Sequence, residues 1–372
     1  MKKNKIGIIT FPIGEANITP FQNLIKIIRE ISHDYSIVLP LVPGINFQFD
    51  EKSKITYLKY VSFPRSLHRI FLYLLLQVKC GLNIKKQKEC DKWIFYIGDD
   101  LIIPNLLAKI LKKQTLLIMG GYYEIEVKNK GNFIDKFGIP LKRINLLFFN
   151  NIILYSPQLI TSWHLTPYRH KILIAHEHFL DFTTFTVTTP YPDRPPLIGY
   201  IGRLSAEKGV QHFVQAFPAI FSEHQDLRVL IGGDGQLKDN IKASLEVQKI
   251  TDRVDLPGWI SHDDLPKYLN QLRLLVLPSY TEGLPNIMLE AMACGTPVLA
   301  TPVGAIPDVI RDGETGFIME DNSPECIARN VMRALTHPDL EGIAEQGRRY
   351  VEGEFTFEKA VERWRGILEN FN

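Results

Sequence analysis

The sequence predicts an α/β protein with two doubly wound parallel sheets, and three observations lead to this prediction. The chain has 372 residues, which is too long for one ordinary hydrophobic core and fits about two domains. Short apolar runs typical of buried strands alternate with amphipathic segments in both halves of the chain. Between the halves, residues 183–196 are rich in proline and threonine, which disfavours a helix or a central strand and marks a boundary.

The first half begins with a typical buried strand and an amphipathic helix. Lys5–Thr10 has the sequence KIGIIT, and residues 20–31 after it place their apolar side chains at helical spacing. This alternation predicts a parallel sheet covered by helices on both faces. Five further strands are predicted at residues 36–41, 93–97, 115–119, 152–155 and 171–175.

The second half repeats the alternation from residue 197 onwards. Its predicted strands are residues 197–201, 228–232, 254–256, 274–277 and 297–301, and its predicted helices are residues 209–221, 235–247, 263–270 and 285–294. Doubly wound sheets bind their ligands outside the carboxyl ends of the strands. Functional residues are therefore expected in the loops that follow these strands.

The composition, 45% hydrophobic and 23% charged, is typical of a soluble globular enzyme and excludes a disordered or fibrous chain. The four cysteines form no CxxC pair, which argues against a zinc site or a disulfide framework. No stretch reaches the roughly 18–20 apolar residues that cross a bilayer, and the N-terminus lacks the pattern of a signal peptide. A cytoplasmic protein with no nucleic-acid partner is expected.

The segment Ile201–Val210, IGRLSAEKGV, places two cations between a predicted strand and a predicted helix. A pyrophosphate leaving group needs its negative charge neutralised, and fixed cations do this well in a cleft with little water. The chain has no Asp-x-Asp pair to hold Mg²⁺ on a diphosphate, so Arg203 and Lys208 are the candidates. The alternative is two solvated cations beside a turn.

The segment Pro278–Thr301, PSYTEGLPNIMLEAMACGTPVLAT, surrounds a predicted helix with glycines and prolines. Glu282 lies in the loop before this helix, and Glu290 lies about two turns further on. Carboxylates accept hydrogen bonds from vicinal diols such as ribose, whereas the alternative for either glutamate alone is an exposed helix carboxylate. Amides at a helix N-terminus favour an anionic or oxygen-rich ligand. The amides expected to be free here are those of Gly283, Leu284, Asn286 and Ile287.

Together, GRLSAEKGV, IGGDGQL, LPGWISHDDL and TEGLPNIMLEAMACGTPVLATPVGAIPDVIRDGETGF resemble the family 4 retaining glycosyltransferases, within glycosyl transferases group 1. The resemblance runs from about Leu197 to Phe317. It implies the GT-B architecture, in which two Rossmann-like domains face each other across a cleft. The domains expected are an acceptor-binding domain at residues 1–185, a nucleotide-sugar-binding domain at residues 186–355, and a helix at residues 356–372 that crosses back to the N-terminal domain.

The resemblance implies a role for several residues of the donor site. Arg203 and Lys208, with Gly202 in the same loop, would hold the donor diphosphate. Glu290 would bind the ribose hydroxyls, and the segment ending in Ile260 would run alongside the base.

Glu282, with the backbone of residues 283–287, would hold the transferred sugar by the same resemblance. The loop containing Gly14 takes the place of a glycine-rich loop whose amides meet the phosphates. In this chain, residues 119–121 are Met-Gly-Gly where many family members carry a histidine near the reacting carbon. The predicted catalytic residues are Arg203, Lys208 and Glu282, with no metal and no cofactor.

The activity implied is metal-independent, retaining transfer of a hexosyl unit from a UDP- or GDP-sugar to a hydroxyl of a glycan or lipid-linked acceptor. Synthesis of a cell-surface polysaccharide or glycolipid would use such a step. Two alternatives remain open: a non-catalytic nucleotide-sugar-binding subunit, and a nucleotide-sugar epimerase on the same fold.

Charge is divided unevenly along the chain, because residues 1–190 hold 25 Lys+Arg against 14 Asp+Glu. Within this basic half, Arg65–Lys88 and Ile139–Tyr155 combine apolar centres with flanking cations, as surfaces that bind anionic membranes do. The alternative is a pair of core helices with lysines that reach the solvent. Peripheral binding to the cytoplasmic face of a membrane is therefore expected from the basic N-terminal domain.

Overall fold

The structure is a computed structural model that describes residues 5–13, 17–32, 34–41, 54–59, 67–120 and 133–371, without the side chains of residues 41, 67–70 and 133–138. Backbone contacts divide the chain into two compact units. The first unit comprises residues 1–178 and 357–372, and the second unit comprises residues 179–356.

The first unit contains a parallel sheet of seven strands in the order β3-β2-β1-β4-β5-β6-β7. The strands are β1 (Lys5–Thr10), β2 (Tyr35–Leu41), β3 (Lys54–Lys59), β4 (Cys90–Tyr96), β5 (Gln114–Ile118), β6 (Asn151–Leu154) and β7 (Ile172–Ile174). The sequence did not predict β3, because this edge strand, KITYLK, pairs on one side with β2 and is exposed or half-buried along its length. Its apolar content is therefore lower than that of a central strand.

The helices of the first unit lie on the two faces of this sheet. They are α1 (Ile18–Ile31), α2 (Leu67–Lys86), α3 (Ile102–Ile110), α4 (Phe133–Phe148) and α5 (Gln158–Ser162), with a 3-10 helix at Thr166–Lys171. Crossovers between parallel strands are right-handed, and the chain moves one way through α1 and the opposite way through α2, α3 and α4. Consequently α2, α3 and α4 form a row on the face opposite α1, with α3 packed between the other two.

The second unit contains a parallel sheet of six strands in the order β10-β9-β8-β11-β12-β13. The strands are β8 (Leu197–Ile201), β9 (Arg228–Gly232), β10 (Val254–Gly258), β11 (Leu274–Leu277), β12 (Val298–Ala300) and β13 (Phe317–Ile318). The helices are α6 (Val210–Glu223), α7 (Lys238–Gln248), α8 (Leu265–Leu269), α9 (Asn286–Ala293), α10 (Ile306–Val309), α11 (Pro324–Leu335) and α12 (Leu340–Glu354), with 3-10 helices at Tyr191–Asp193, Ala206–Lys208 and Thr251–Arg253. The predicted class of two doubly wound parallel sheets is confirmed.

A final helix, α13 (Phe357–Asn370), packs with the first unit against α1. The indole nitrogen of Trp364 donates a hydrogen bond to the carbonyl oxygen of His176 at 3.0 Å. The buried ammonium of Lys92 in β4 donates to the carbonyl oxygen of Leu368 at 2.7 Å. These contacts anchor the helix on the sheet of the first unit.

The boundary between the units falls after residue 178, whereas the sequence placed it after residue 185. The intervening residues pack with the second unit, since the amide of Leu180 donates to the carbonyl oxygen of Phe355 and the ring of Phe185 is buried. The proline- and threonine-rich segment belongs to the same unit. Its Arg194 is buried and donates to the carbonyl oxygens of Leu272 and Cys294.

Candidate functional site

The loops that follow the parallel strands of the second unit lie at one edge of its sheet. All pairings from β8 to β13 are parallel, so the carboxyl ends of these strands point the same way. The loops after β8, β10 and β11, together with helix α9 after β11, contain the candidate residues predicted in the second half of the chain. The fold therefore gathers them at the edge where doubly wound sheets bind ligands.

Two glycines allow these loops to approach each other closely. Gly209 has φ +66°, and a β-carbon there would lie 2.0 Å from the carbonyl oxygen of Pro278. Gly304 has φ +62°, and a β-carbon there would lie 2.3 Å from the carbonyl oxygen of Glu282. Since a side chain fits at neither position, both residues are constrained to glycine. The loop carrying Glu282 is thus held between two neighbouring loops.

Lys208 and Glu282 form an ion pair at the centre of this arrangement. The Lys208 Nζ lies 2.7 Å from Oε1 and 2.8 Å from Oε2 of Glu282, whose side chain is only 9% exposed. The hydroxyl of Ser279 also donates to Glu282 Oε1 at 2.6 Å. Thr301 Oγ1 donates to the carbonyl oxygen of Ser279, which ties the loop after β12 to this group. The structure therefore joins two predicted residues and adds Ser279, which no sequence pattern singled out.

Arg203 lies in the same loop as Lys208 but in a more open position. Its side chain is 60% exposed, and its NH1 lies 3.5 Å from Oε1 of Glu207. Glu207 accepts a hydrogen bond from the hydroxyl of Ser205 at 2.6 Å. The amide of Gly202, at the start of this loop, donates to the carbonyl oxygen of Gly232 at 3.0 Å. Arg203 thus offers an accessible guanidinium in the loop that also carries the partly buried Lys208.

Glu290 lies in α9 and pairs with a histidine that the sequence analysis did not select. Its Oε1 lies 3.1 Å from Nε2 of His262, and the Glu290 side chain is almost completely buried. The hydrogen bond with Glu290 raises the pKa of His262, so the imidazole holds its proton more tightly than a free histidine does. The ring of Phe185 packs edge-on against the imidazole at 5.1 Å.

Ile260 follows β10 in the same loop as His262. Its side chain covers the backbone of Gly232, where an added β-carbon would lie 2.4 Å from Ile260 Cδ1. Trp259 beside it is largely exposed. This loop therefore presents apolar surface next to the end of β9.

The start of α9 presents backbone amides that no hydrogen bond of the described residues uses. The helix begins at Asn286, one residue later than predicted, because Pro285 has an extended conformation at the cap. The carbonyl oxygen of Gly283 accepts from the amide of Ala305 at 2.7 Å, which fixes the loop. Within the described part of the chain, the amides without a recorded acceptor include those of Gly283, Leu284, Asn286 and Ile287. Such amides suit an anionic or oxygen-rich ligand.

The corresponding edge of the first unit has a different character. The Tyr155 hydroxyl donates to Glu177 Oε1 at 2.5 Å, and Glu177 is fully buried. Burial raises the pKa of Glu177 to about 7. The buried Tyr96 hydroxyl and Oε2 of Glu177 have no hydrogen-bond partner among the described residues. Met119 is buried at the end of β5, and Gly14 lies outside the described residues.

Comparison with known proteins defines the class of this chain. The family model described as glycosyl transferases group 1 matches residues 182–350, which contain the whole arrangement at the edge of the second sheet. A relative that spans both units is 34% identical over 384 residues, covering 98% of this chain and 96% of the relative. The chain therefore belongs to the glycosyl transferases group 1 family.

The relative that spans both units is the N-acetyl-alpha-D-glucosaminyl L-malate synthase of Bacillus anthracis. The alpha-D-kanosaminyltransferase of Streptomyces kanamyceticus is 30% identical over 176 residues, which is 47% of this chain and 46% of that protein's length. Among solved structures, the sucrose-phosphate synthase of Thermosynechococcus elongatus has a TM-score of 0.77 at 18% identity and covers 98% of both chains. At that identity the likeness shows the fold alone, and it confirms the GT-B class.

Proposed function

We propose that this protein is a retaining hexosyltransferase that uses a nucleotide-diphosphate sugar as its donor. The observation that carries the proposal is the Lys208–Glu282 pair, held beside the open amides of α9 at the edge of the second sheet. A lysine ammonium and helix N-terminal amides together suit a diphosphate. The Glu282 carboxylate is held in place by hydrogen bonds from Lys208 and Ser279. A carboxylate fixed in this way suits the hydroxyls of a sugar.

The proposed reaction breaks the bond between the anomeric carbon and the diphosphate oxygen. Negative charge grows on the departing oxygen, and Lys208 and Arg203 stabilise it together with the amides at the start of α9. The anomeric carbon passes through an oxocarbenium-like state, and the acceptor hydroxyl attacks from the face that the diphosphate leaves. The hydroxyl proton moves to the departing phosphate oxygen, so no protein carboxylate forms a covalent intermediate.

The remaining residues are assigned to recognition of the donor. Glu290 accepts hydrogen bonds from the ribose diol, and Ile260 lies beside the base, which is uracil or guanine. Glu282 and the backbone of residues 283–287 hold the transferred sugar. Support comes from the burial of Glu290 and from the position of Ile260 over the end of β9.

Metal independence is part of the proposal, because fixed cations take the place of Mg²⁺ on the diphosphate. Transfer measured in excess EDTA is expected to match transfer measured with added Mg²⁺. Activity that disappears with EDTA and returns with a divalent cation would contradict this part.

The proposed acceptor is a hydroxyl of a glycan or of a lipid-linked sugar, in cell-surface polysaccharide or glycolipid synthesis in the cytoplasm. A second acceptor class is a small hydroxy acid, because the relative that spans both units is named an N-acetyl-alpha-D-glucosaminyl L-malate synthase. Incubation of one labelled donor with L-malate and with lipid-linked sugars in parallel separates these two classes.

The first experiment is a thermal-shift screen with UDP, GDP and ADP, followed by the sugars of the nucleotide that binds. A ligand at 100 times its dissociation constant adds about 2.7 kcal/mol to the free energy of unfolding. Donor hydrolysis or transfer by the purified chain alone supports an enzyme. Binding without turnover favours a regulatory subunit, and conversion of the donor sugar without an acceptor favours an epimerase. No stabilisation by any nucleotide would refute the donor site.

A further inference from the structure

A stripe of exposed apolar side chains runs along α2. Phe71, Leu74, Leu75, Val78 and Leu82 are each between 40% and 58% exposed. Their spacing of three, four, seven and eleven residues from Phe71 places them on one side of the helix. Leu76 and Ile84, on the other side of the helix, are buried in the first unit. Helix α2 therefore presents apolar side chains both to the core of the first unit and to the solvent.

The apolar surface continues on the neighbouring helices of the same row. Leu141, Ile144 and Leu147 of α4 are about half exposed or more, and Ile110 at the end of α3 is 75% exposed. Because α2, α3 and α4 pack side by side on one face of the sheet, these residues belong to one surface. We call it the α2–α4 face. Contiguous apolar surface of this kind marks an interaction site more often than it marks ordinary solvent exposure.

Among the side chains that the structure describes on the α2–α4 face, most of the charged ones are cations. Neither α2 nor α3 contains an aspartate or a glutamate. Asp99 and Asp100, which precede α3, both pair with Lys142 of α4, at 3.1 and 3.0 Å. The exposed lysines of α2, α3 and the turn after α3 are Lys79, Lys85, Lys86, Lys109 and Lys112.

The opposite face of the same sheet provides an internal comparison. It is covered by α1 and α13, and α13 alone carries three glutamates among its cations. Mixed charge of that kind is typical of a solvated surface. The excess of cations is thus concentrated on the face that also exposes the apolar stripe.

We propose that the α2–α4 face docks on an anionic lipid surface, with α2 lying in the plane of the interface. In this arrangement the lysines pair with the phosphate groups of the lipids. The apolar stripe of α2 enters the boundary between the headgroups and the acyl chains. A second copy of the chain fits less well, since a symmetric contact would bring two rows of lysines together. The proposal uses residues of the first unit only and does not depend on the nature of the donor.

The test is co-sedimentation of the full chain with vesicles of phosphatidylcholine alone and of phosphatidylcholine mixed with phosphatidylglycerol. The chain is expected to bind the mixed vesicles at low salt and to bind them more weakly at high salt. Each lysine near an anionic surface contributes about fivefold to binding, so the double variant Lys79→Glu/Lys86→Glu is expected to bind at least about 25-fold more weakly. The double variant Leu75→Gln/Leu82→Gln is expected to reduce binding at both salt concentrations.

Matched control variants lie on α7 and at its C-terminal end, in the second unit. Lys242→Glu/Lys249→Glu makes the same change of charge, and Val247→Gln replaces an exposed apolar residue. Both controls are expected to bind vesicles like the unchanged chain. Thermal melting with and without the nucleotide shows whether each variant is folded, independently of the vesicles.

Three results would overturn the proposal. The first is no binding of the unchanged chain to mixed vesicles at either salt concentration. The second is equal loss of binding in the control and the α2 variants. The third is a stable dimer of the unchanged chain that Leu75→Gln/Leu82→Gln separates, which would assign the α2–α4 face to a second copy.

Discussion

The two sheets use the carboxyl ends of their strands in opposite ways. In the second unit, the edge carries charged pairs, Lys208 with Glu282 and His262 with Glu290, that lie next to solvent. In the first unit, Glu177 and Tyr155 meet at the same kind of edge, but both are buried. One edge thus presents paired charged side chains close to the solvent, whereas the other keeps a carboxyl group inside the protein.

The carboxyl groups at the two edges differ in the partners that accompany their burial. Glu282 and Glu290 each have a positive or protonatable partner within 3.1 Å. For Glu177, burial raises the pKa to about 7, and the Tyr155 hydroxyl opposes this only in part. Burial without a cation favours the neutral acid, and a paired cation favours the carboxylate. The two edges are therefore expected to respond differently to substitution and to pH.

The largest effect is expected at Lys208. Lys208→Ala removes the ammonium beside Glu282, and loss of one preorganised group that stabilises a leaving group lowers kcat by roughly 10²–10³. The measurement is the initial rate of transfer at saturating donor. Lys238→Ala is the matched control, because Lys238 also forms a lysine–carboxylate pair at 2.9 Å, with Asp234, but its side chain is more exposed than that of Lys208. Near-normal turnover by a folded Lys208→Ala variant would remove Lys208 from the site.

A smaller effect is expected from Glu290→Gln. The amide keeps the shape of the side chain but accepts hydrogen bonds from a diol more weakly, because a charged acceptor contributes about 1.5–3 kcal/mol. The dissociation constant of the nucleotide should therefore rise by about 10- to 100-fold, measured by calorimetry. Glu246→Gln, an exposed position on α7, should leave it unchanged. Unaltered nucleotide affinity in Glu290→Gln would contradict the ribose assignment.

The buried edge is probed by Glu177→Gln. The folded-state pKa of Glu177, about 7, lies above its ordinary value of 4.5, so the folded protein holds the proton more tightly than the unfolded chain. The contribution of Glu177 to stability consequently falls as pH rises from about 4.5 to about 7. Glutamine does not ionise, so the stability of Glu177→Gln lacks this dependence on pH. From pH 5 to pH 8, the free energy of unfolding of Glu177→Gln should therefore rise by on the order of 2 kcal/mol relative to that of the unchanged chain.

Urea unfolding at both pH values measures this gain, and Glu246→Gln controls for loss of a surface carboxylate. An equal difference in stability at pH 5 and pH 8 would show that Glu177 is ionised across this range.

The smallest effect is expected from His262→Asn. The pKa of His262 is raised above 6.5 by its hydrogen bond with Glu290, so the pair stabilises the fold below about pH 6.5 and loses this contribution as pH rises through the folded-state pKa. The imidazole is largely exposed, which limits the effect to about 0.5 kcal/mol. The free energies of unfolding of His262→Asn and of the unchanged chain should therefore differ more at pH 6 than at pH 8. The reverse order would contradict the direction of the shift.

Most of the fold followed from the sequence, because central strands in parallel sheets are continuous apolar runs. β1, β8, β9 and β11 begin and end at the predicted residues. The strand that was missed, β3, lies at an edge and contains only exposed and half-buried residues. Apolar periodicity identifies buried elements and is weak where one side of a strand is open to solvent.

The sequence singled out Arg203, Lys208, Glu282 and Glu290 as candidates, but it did not predict the pairs that they form in the structure. Lys208 and Glu282 are 74 positions apart, and their contact depends on the close approach of Gly209 to the Pro278 carbonyl oxygen. His262 lies in a polar loop, SHDD, where nothing in the local pattern distinguishes it from a solvated residue. Pairs such as these depend on how the loops pack against each other. Spacing patterns along one sequence do not reveal that packing.

The placement of α13 has a consequence for how the protein is made. The first unit needs Trp364 to cap the carbonyl oxygen of His176 and Leu368 to accept from Lys92, yet these residues follow the whole second unit in the chain. During synthesis, the second unit can therefore complete its fold while the first still lacks one of its helices. Until that helix emerges from the ribosome, the uncovered apolar surface of α1 is the expected target of chaperones.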